Sequence, residues 1–299
     1  MAAPINDGDI WLPPTLVEPY EDPEYDLIPT ILGMTNPPIA WFKFDEDTGE
    51  IIGEDETGNS PTPEDNYHLT GDAAGFPGDT ICDCGKSFRG LVPDSGAKNI
   101  FIADGIQLPT DRRNYSCVCF VEVFDRVRSA WFCSNGDLSL NHHQGSTFAI
   151  DTDGYVYVAV RTTTSYNSYI SSQYIDLDTP TVIGVTLETT SADIYVNGVF
   201  KETLTFDSAQ ELTHTTAFAV AGLLKWYPVV DVYDKGGSAY YDEWMLFDGS
   251  LSSDDHALVY AALIKDCSVE NNCTPHYEQL NVDGDPGEVQ PGDLWIVEE

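Results

Sequence analysis

Pairs of carboxylates are the most prominent candidates for chemistry in this chain, which has 50 acidic residues against 13 basic ones. Hydrolysis of a glycosidic bond with retention needs two carboxyl groups about 5 Å apart on one face of a strand. Glu122 and Asp125 are three positions apart in a strand-like run, which places them on opposite faces. Asp242 and Glu243 are adjacent, which again predicts opposite faces, and the acidic residues 45–47 lie in a predicted turn. No pair therefore fits this reaction.

Motifs for other kinds of catalysis are also missing from the sequence. It contains no G-x-S-x-G nucleophile motif, no H-E-x-x-H zinc motif and no Walker phosphate loop. His142 and His143 leave two interpretations open, a metal or sugar contact and an ordinary exposed loop pair, since adjacent histidines seldom reach one metal ion. We therefore expect a protein that is not an enzyme.

Seven cysteines give an odd count, so they cannot all pair within one chain. Cys267 and Cys273 flank a short polar segment and are the most plausible disulfide. Cys117 and Cys119 lie two apart in a strand-like run, so both face the same way. Buried free thiols, further disulfides and a zinc site all remain open for the two C-x-C pairs, with buried thiols favoured because structural zinc sites usually use C-x₂₋₄-C.

The formal net charge of -37 excludes two classes of partner. Such a surface repels both nucleic acid and anionic lipid. No segment approaches the roughly 18 consecutive apolar residues of a membrane-spanning helix. The first residues have neither a basic nor an apolar leader region, so we expect no signal peptide.

The middle of the chain reads as one short strand after another. Alternating or β-rich runs occupy residues 115–124, 147–150, 155–164, 181–189, 217–224 and 240–247. Asn197-Gly198 between two such runs is the strongest short hairpin signal available. One helix is predicted over 252–265, with Ser252 as its cap. These elements predict an all-β fold, an antiparallel β-sandwich of the jelly-roll type with one short helix.

Both ends of the chain are predicted to be extended arms. Residues 1–38 hold eight of the 18 prolines and many apolar side chains, so we expect an acidic extended arm rather than a helix. Residues 266–299 form a second arm. Trp11 with Leu12 and Trp295 with Ile296 stand in similar five-residue segments, which fits either chance or two assembly anchors that dock by strand addition.

Several motifs in residues 39–265 occur together in one known family. They are IAWFKFDEDTG at 39–49, DETGN at 55–59, the run 115–124, IYVNG at 194–198, and YDEWMLF at 241–247 followed by LS and a helix. In this order the sequence resembles the laminin-G-like jelly rolls of the concanavalin A-like lectin and glucanase superfamily. The E-x-D-x-x-E pattern of that superfamily's retaining glycanases is absent. The resemblance implies two antiparallel sheets that bind carbohydrate or protein.

The resemblance also implies a structural calcium ion. Carried over from the family, Asp242 at a strand and Asp55 with Asn59 in an early loop would supply its oxygen ligands. The alternative for Asp55 and Asn59 is that they only shape a turn. The segment 151–154 looks like part of a calcium loop, but position 162 is Thr instead of Glu, so we interpret it as a hairpin turn.

Aromatic residues in two segments are candidate ligand-binding residues. Trp226, Tyr227 and Tyr233 lie in a connection that is often shorter in the family, and their rings suit stacking on sugars. Tyr166 and Tyr169 lie in a Tyr/Ser/Asn-rich run typical of adaptable recognition loops. Ordinary loop and subunit packing remains the alternative for both segments.

Together these features favour a structural display protein at the surface of a virion, extracellular after release. The expected protein is a capsid decoration protein or fibre of a tailed phage, whose arms hold its own subunits or shell proteins together while a lectin-like domain faces outward. The alternative is a secreted or cell-surface adhesin that binds carbohydrate. Calcium is the one cofactor expected, and a cell-surface glycan is an expected partner of either protein.

Overall fold

The computed structural model describes residues 27–45, 55–59, 67–70, 87–90, 100–104, 114–126, 129–134, 145–162, 166–210, 217–220, 223–226, 230–233 and 238–271. Within these ranges the helices are α1, Leu27–Leu32, and α2, Ser253–Asn271. The strands are β1 Pro38–Phe42, β2 Tyr67–Thr70, β3 Phe88–Arg89, β4 Ile100–Asp104, β5 Tyr115–Val123, β6 Ser129–Ser134, β7 Ser146–Ile150, β8 Tyr155–Arg161, β9 Tyr166–Tyr174, β10 Thr181–Leu187, β11 Ser191–Val196, β12 Val199–Thr205, β13 Ala217–Val220, β14 Leu223–Trp226, β15 Val230–Tyr233 and β16 Ala239–Phe247.

The strands form two seven-stranded antiparallel sheets. The first has the order β1-β16-β5-β10-β11-β12, with β3 also paired to β16. The second has the order β2-β4-β13-β6-β7-β8-β9, and β14 pairs with β15 in a separate hairpin. The neighbours in these sheets are mostly far apart in sequence, as in sandwich folds with crossover connections. The predicted antiparallel β-sandwich is confirmed.

Strand β5 shows how the sequence fills the space between the sheets. Its odd-numbered residues, from Tyr115 to Val123, lie in the main core, whereas Val118 and Phe120 point to the other face of the sheet. Because both faces of β5 are largely buried, the run is mostly apolar, and its polar side chains are Ser116 and the half-buried Glu122. Cys117 and Cys119 both lie in this core as buried free thiols, which confirms the favoured interpretation of that pair.

The outer face of the first sheet is covered by the two helices. Leu27 and Ile31 of α1 and Val259 of α2 share a buried cluster with residues of β1, β5, β10 and β16. The prediction that residues 1–38 contain no helix is therefore wrong for Leu27–Leu32. Pro29 is tolerated there because the amides of a first helical turn have no acceptor within the helix. The i, i+4 spacing of Leu27 and Ile31 gives α1 one apolar face for α2.

Helix α2 begins as predicted and ends later than predicted. Ser252 Oγ accepts the Asp255 amide at 3.2 Å, and the Asp255 carboxylate accepts the Ser252 amide at 3.0 Å, which forms a reciprocal cap. The helix continues to Asn271 instead of ending near residue 265, so Cys267 lies within it. Its predicted partner Cys273 lies outside the described residues, as do the anchors Trp11, Leu12, Trp295 and Ile296, and these predictions stay untested. No helix in the described ranges has the length and hydrophobicity that a membrane crossing requires.

His256 fastens α2 to the sheet beneath it. The buried imidazole stacks on Tyr195 with ring centroids 3.7 Å apart, and its Nε2 is 2.9 Å from Thr186 Oγ1. The ring lies directly over Gly184, which has no side chain to obstruct it. Burial lowers the pKa of His256 to about 3, so the ring is neutral near pH 7.

Two predicted turns are confirmed by their backbone geometry. Asn197 and Gly198 have φ values of 51° and 71° between β11 and β12, as a tight hairpin of the I′ type requires. Asp151 Oδ1 accepts the amides of Asp153 and Tyr155, each at 2.9 Å, in the turn between β7 and β8. The segment 151–154 is therefore a hairpin turn, with Asp151 committed to backbone hydrogen bonds.

Candidate ligand-binding site

Two tyrosines lie side by side at one end of the second sheet, where β8 meets the edge strand β9. Tyr155 and Tyr174 are direct partners in the register of these strands. Their rings meet edge to face with centroids 5.5 Å apart. Tyr155 is 36% exposed and Tyr174 is 49% exposed. Both rings therefore offer surface to a ligand, although they are fixed against each other.

Arg126, from the connection after β5, holds Tyr174 in place. Its guanidinium lies 4.7 Å from the centre of the Tyr174 ring, and its Nη2 donates to the Tyr174 hydroxyl at 2.7 Å. Its Nη1 donates to the carbonyl of Ile175 at 2.9 Å. Two of its five N–H groups thus donate to partners in the described part of the chain. These contacts fix the position of the Arg126 side chain, and with it the position of its other N–H groups.

Gly154 makes room for this arrangement. Its φ of 93° suits glycine, and a Cβ there would lie 2.5 Å from Arg126 Nη1 and 2.7 Å from the Tyr174 ring. Its carbonyl also accepts the Ile175 amide at 2.9 Å. The β7–β8 turn, the end of β9 and the β5–β6 connection therefore support one small surface. We call Arg126, Tyr155 and Tyr174 the tyrosine–arginine patch.

The rim of the patch combines apolar and acidic residues. Ile170 and Leu177 are exposed nearby on β9 and on the connection that follows it. Four exposed aspartates lie within a few residues of the patch along the chain: Asp125, Asp153, Asp176 and Asp178. Burial, and then the charge of Asp178, raise the pKa of the half-buried Glu122. The patch thus offers aromatic faces, fixed N–H donors and carboxylate acceptors.

Among the predicted ligand-binding residues, the structure describes the side chain of Tyr169. Tyr169 is half-buried, stacks on Phe206 at 4.9 Å and accepts the Asp207 amide at 3.1 Å, so it anchors the segment after β12. The predicted set is otherwise described only in part. Tyr166 lies in β9, Trp226 in β14 and Tyr233 in β15, without described side chains, and Tyr227 lies outside the described residues.

All three predicted calcium ligands lie among the described residues. Asp55 accepts the Trp41 amide at 3.0 Å and the Thr57 amide at 3.1 Å, and Asn59 donates to the Ile39 carbonyl at 3.4 Å. These bonds fit the alternative, turn-forming role of Asp55 and Asn59. Asp242 lies in β16 opposite Phe120 of β5. The described residues contain no group of three His, Cys, Asp or Glu side chains placed to hold a metal ion. The calcium site stays a prediction.

A β-bulge in β16 lies at Asp242 and Glu243. The register with β5 shifts between Asp242 and Met245, and Glu243 has a φ of 49°. The bulge interrupts the regular pairing of β16 with β5, and Asp242 and Glu243 are both buried there. Burial and the charge of Glu243 both raise the pKa of Asp242. Glu243 accepts the indole N–H of Trp41.

Comparisons with known proteins support the fold. No family model and no curated protein matches the sequence. The structure is similar to the binding domain of botulinum neurotoxin serotype D, with a TM-score of 0.51 and 12% identity over 79% of this chain and 53% of that one. It is also similar to the binding domain of botulinum neurotoxin DC solved in complex with rat synaptotagmin II, with a TM-score of 0.53 and 10% identity over 76% and 52%.

A third similar structure is the serotype D ligand-binding domain in complex with N-acetylneuraminic acid, with a TM-score of 0.50 and 12% identity over 79% of this chain and 52% of that one. The chain thus spans about half the length of each of these solved structures. At such low identity the likeness shows a shared fold and no more. All three are named as binding domains. The chain therefore shares the β-sandwich architecture of these receptor-binding and ligand-binding domains.

Proposed function

We propose that this chain is a non-catalytic, lectin-like recognition domain that binds carbohydrate, as a secreted or cell-surface adhesin does. The observation that carries the proposal is the tyrosine–arginine patch, in which two exposed rings are held rigid at one end of the sandwich. An aromatic face meets the C–H groups of a sugar ring well. Neighbouring Arg and Asp side chains supply the hydrogen bonds that orient sugar hydroxyls. A site fixed before binding loses little entropy on association.

The similar solved structures add support of a general kind. One was solved with a sugar acid and another with a protein receptor, so this architecture serves recognition of both classes in other proteins. The motif order in residues 39–265 and the two antiparallel sheets also fit the laminin-G-like resemblance, which remains part of the proposal. Calcium remains its proposed structural ion.

Replacing Tyr174 by alanine is expected to weaken glycan binding at least 10-fold, because it removes one stacking surface and the hydroxyl that orients Arg126. The measurement is a glycan array with the full chain, followed by calorimetry on the strongest oligosaccharide. Phe200→Ala is the matched control, since Phe200 is equally exposed on β12, outside the patch. Equal binding by wild type and Tyr174→Ala would contradict the proposed site, and an array without any bound glycan would contradict the function.

Display on a virion surface is the second candidate, supported by the acidic, proline-rich terminal segments of the sequence. In this proposal the same domain faces outward while residues near both termini hold neighbouring subunits or shell proteins. Leu27, Ile31 and Met34 are buried within the chain's own domain. We therefore place the contacts with other subunits in the residues before helix α1.

Changing both Trp11 and Trp295 to alanine is expected to lower the oligomeric state of the full chain, because each would lose a large apolar anchor. Size-exclusion chromatography with light scattering gives the mass directly. Leu258→Ala, at an exposed position of α2, serves as the control. A double variant with unchanged mass rules out the anchor role of the two tryptophans.

A further inference from the structure

We infer that the tyrosine–arginine patch selects uncharged sugar rings and disfavours sugars that carry a carboxylate or sulfate. This inference rests on the proposed function and assigns the ligand class of the same site. It concerns the charge of the ligand. The charged side chains near the patch select for this charge, whereas the two aromatic rings do not.

Exposed aspartates lie within a few residues of the patch along the chain, on each segment that builds it. Asp153 comes two residues before Tyr155 in the β7–β8 turn, and Asp176 comes two residues after Tyr174. Asp125 directly precedes Arg126, and its carboxylate accepts the Arg126 amide at 2.8 Å. Asp178 follows in the same connection as Asp176, where its charge helps to raise the pKa of Glu122. The local field is therefore negative.

The single positive charge of the patch does not reverse this field. The Arg126 guanidinium already lies against the Tyr174 ring and donates two hydrogen bonds inside the chain. Four exposed aspartates outnumber it, within a chain whose net charge is -37. An anionic sugar would bring its charge toward like charges on several sides.

The same groups are well suited to a neutral sugar. Ionised carboxylates accept hydrogen bonds from sugar hydroxyls, and the Arg126 N–H groups not used within the chain donate to hydroxyl or ring oxygens. The rings of Tyr155 and Tyr174 provide the apolar surface, and Ile170 extends it along β9. The patch thus has the hydrogen-bond acceptors, the hydrogen-bond donors and the apolar surface that bind a neutral sugar.

The test uses pairs of oligosaccharides that differ only in a terminal sialic acid, with calorimetry on the full chain in 20 mM and 300 mM NaCl. We expect the neutral member to bind at least 10-fold more tightly at low salt, with a smaller ratio at high salt because salt screens exposed charges. Asp176→Asn should reduce the ratio. Asp254→Asn removes the same charge at the start of α2, which packs on the first sheet and not on the strands of the patch tyrosines, and should leave the ratio unchanged.

Each outcome has a defined meaning. A neutral preference that narrows with salt and with Asp176→Asn supports the inference. Equal or tighter binding of the sialylated member overturns it and leaves the proposed function intact. Failure of both members, together with an array without any bound glycan, overturns the proposed function itself.

Discussion

Alanine at Gly184 is expected to lower the free energy of unfolding by about 3 kcal/mol, a large effect for the addition of one methyl group. The new Cβ would lie 2.5 Å from Nδ1 of His256, closer than packed atoms approach. His256 cannot yield without losing its contact with Thr186 Oγ1 and its stack on Tyr195. Relief would require lifting helix α2 from the sheet. Urea unfolding followed by tryptophan fluorescence measures the loss.

A double-mutant cycle identifies the cause of this loss. His256→Ala alone should cost about 2 to 3 kcal/mol, because it empties a buried site. In that background Gly184→Ala should cost less than about 1 kcal/mol, since the added methyl group then has space. Leu258→Ala, on the exposed face of the same helix, is the matched control and should leave the full cost of Gly184→Ala in place. If Gly184→Ala lowers the free energy of unfolding equally with and without His256, the clash with His256 is not the cause of the loss.

Elements set by local pattern were predicted well from the sequence. The β-rich run of β5, the Asn197-Gly198 hairpin and the Ser252 cap each depend on residues a few positions apart. Such short-range physics, repeated along the chain, is sufficient to indicate an antiparallel sandwich. The buried pair Cys117 and Cys119 followed from the same spacing, because alternate residues of a strand share a face.

Features set by distant contacts were not predicted. Helix α1 depends on packing of Leu27 and Ile31 against α2, more than 200 residues away in sequence, and the proline content of the segment concealed it. The tyrosine–arginine patch joins residues 126, 155 and 174, which meet only because β8 pairs with the edge strand β9. Sequence spacing does not show which strand lies at a sheet edge.

The bulge at Glu243 is a further case, and two acidic side chains are buried there. Asp242 is buried beside Glu243, and burial with that neighbouring charge raises the pKa of Asp242 above its ordinary value of 3.8. The folded protein therefore holds a proton at this site over a pH range in which the unfolded chain has lost it. Stability accordingly falls as the pH rises through that range.

Asp242→Asn is thus expected to stabilise the protein by at least about 1 kcal/mol at pH 7 in EDTA, because it removes a buried charge. The amide oxygen can still accept the Glu243 amide, which lies 2.8 Å from the Asp242 carboxylate. The gain should shrink as the pH falls and Asp242 becomes protonated. Thermal unfolding between pH 4 and pH 8 measures it, and a variant less stable than wild type at pH 7 would contradict the argument.

Asp55→Asn is the control, and it should lower the stability instead of raising it. The Asp55 carboxylate accepts hydrogen bonds from Trp41 and Thr57, and an amide would accept them less strongly.

The same measurement with added calcium tests the predicted ion. A ligand that binds only the folded state raises the unfolding temperature. If Asp242 helps to hold calcium, the ion raises the unfolding temperature of the wild type. It leaves the unfolding temperature of Asp242→Asn unchanged, because the variant lacks the carboxylate that would bind the ion. Calcium that affects both proteins equally excludes Asp242 as a ligand.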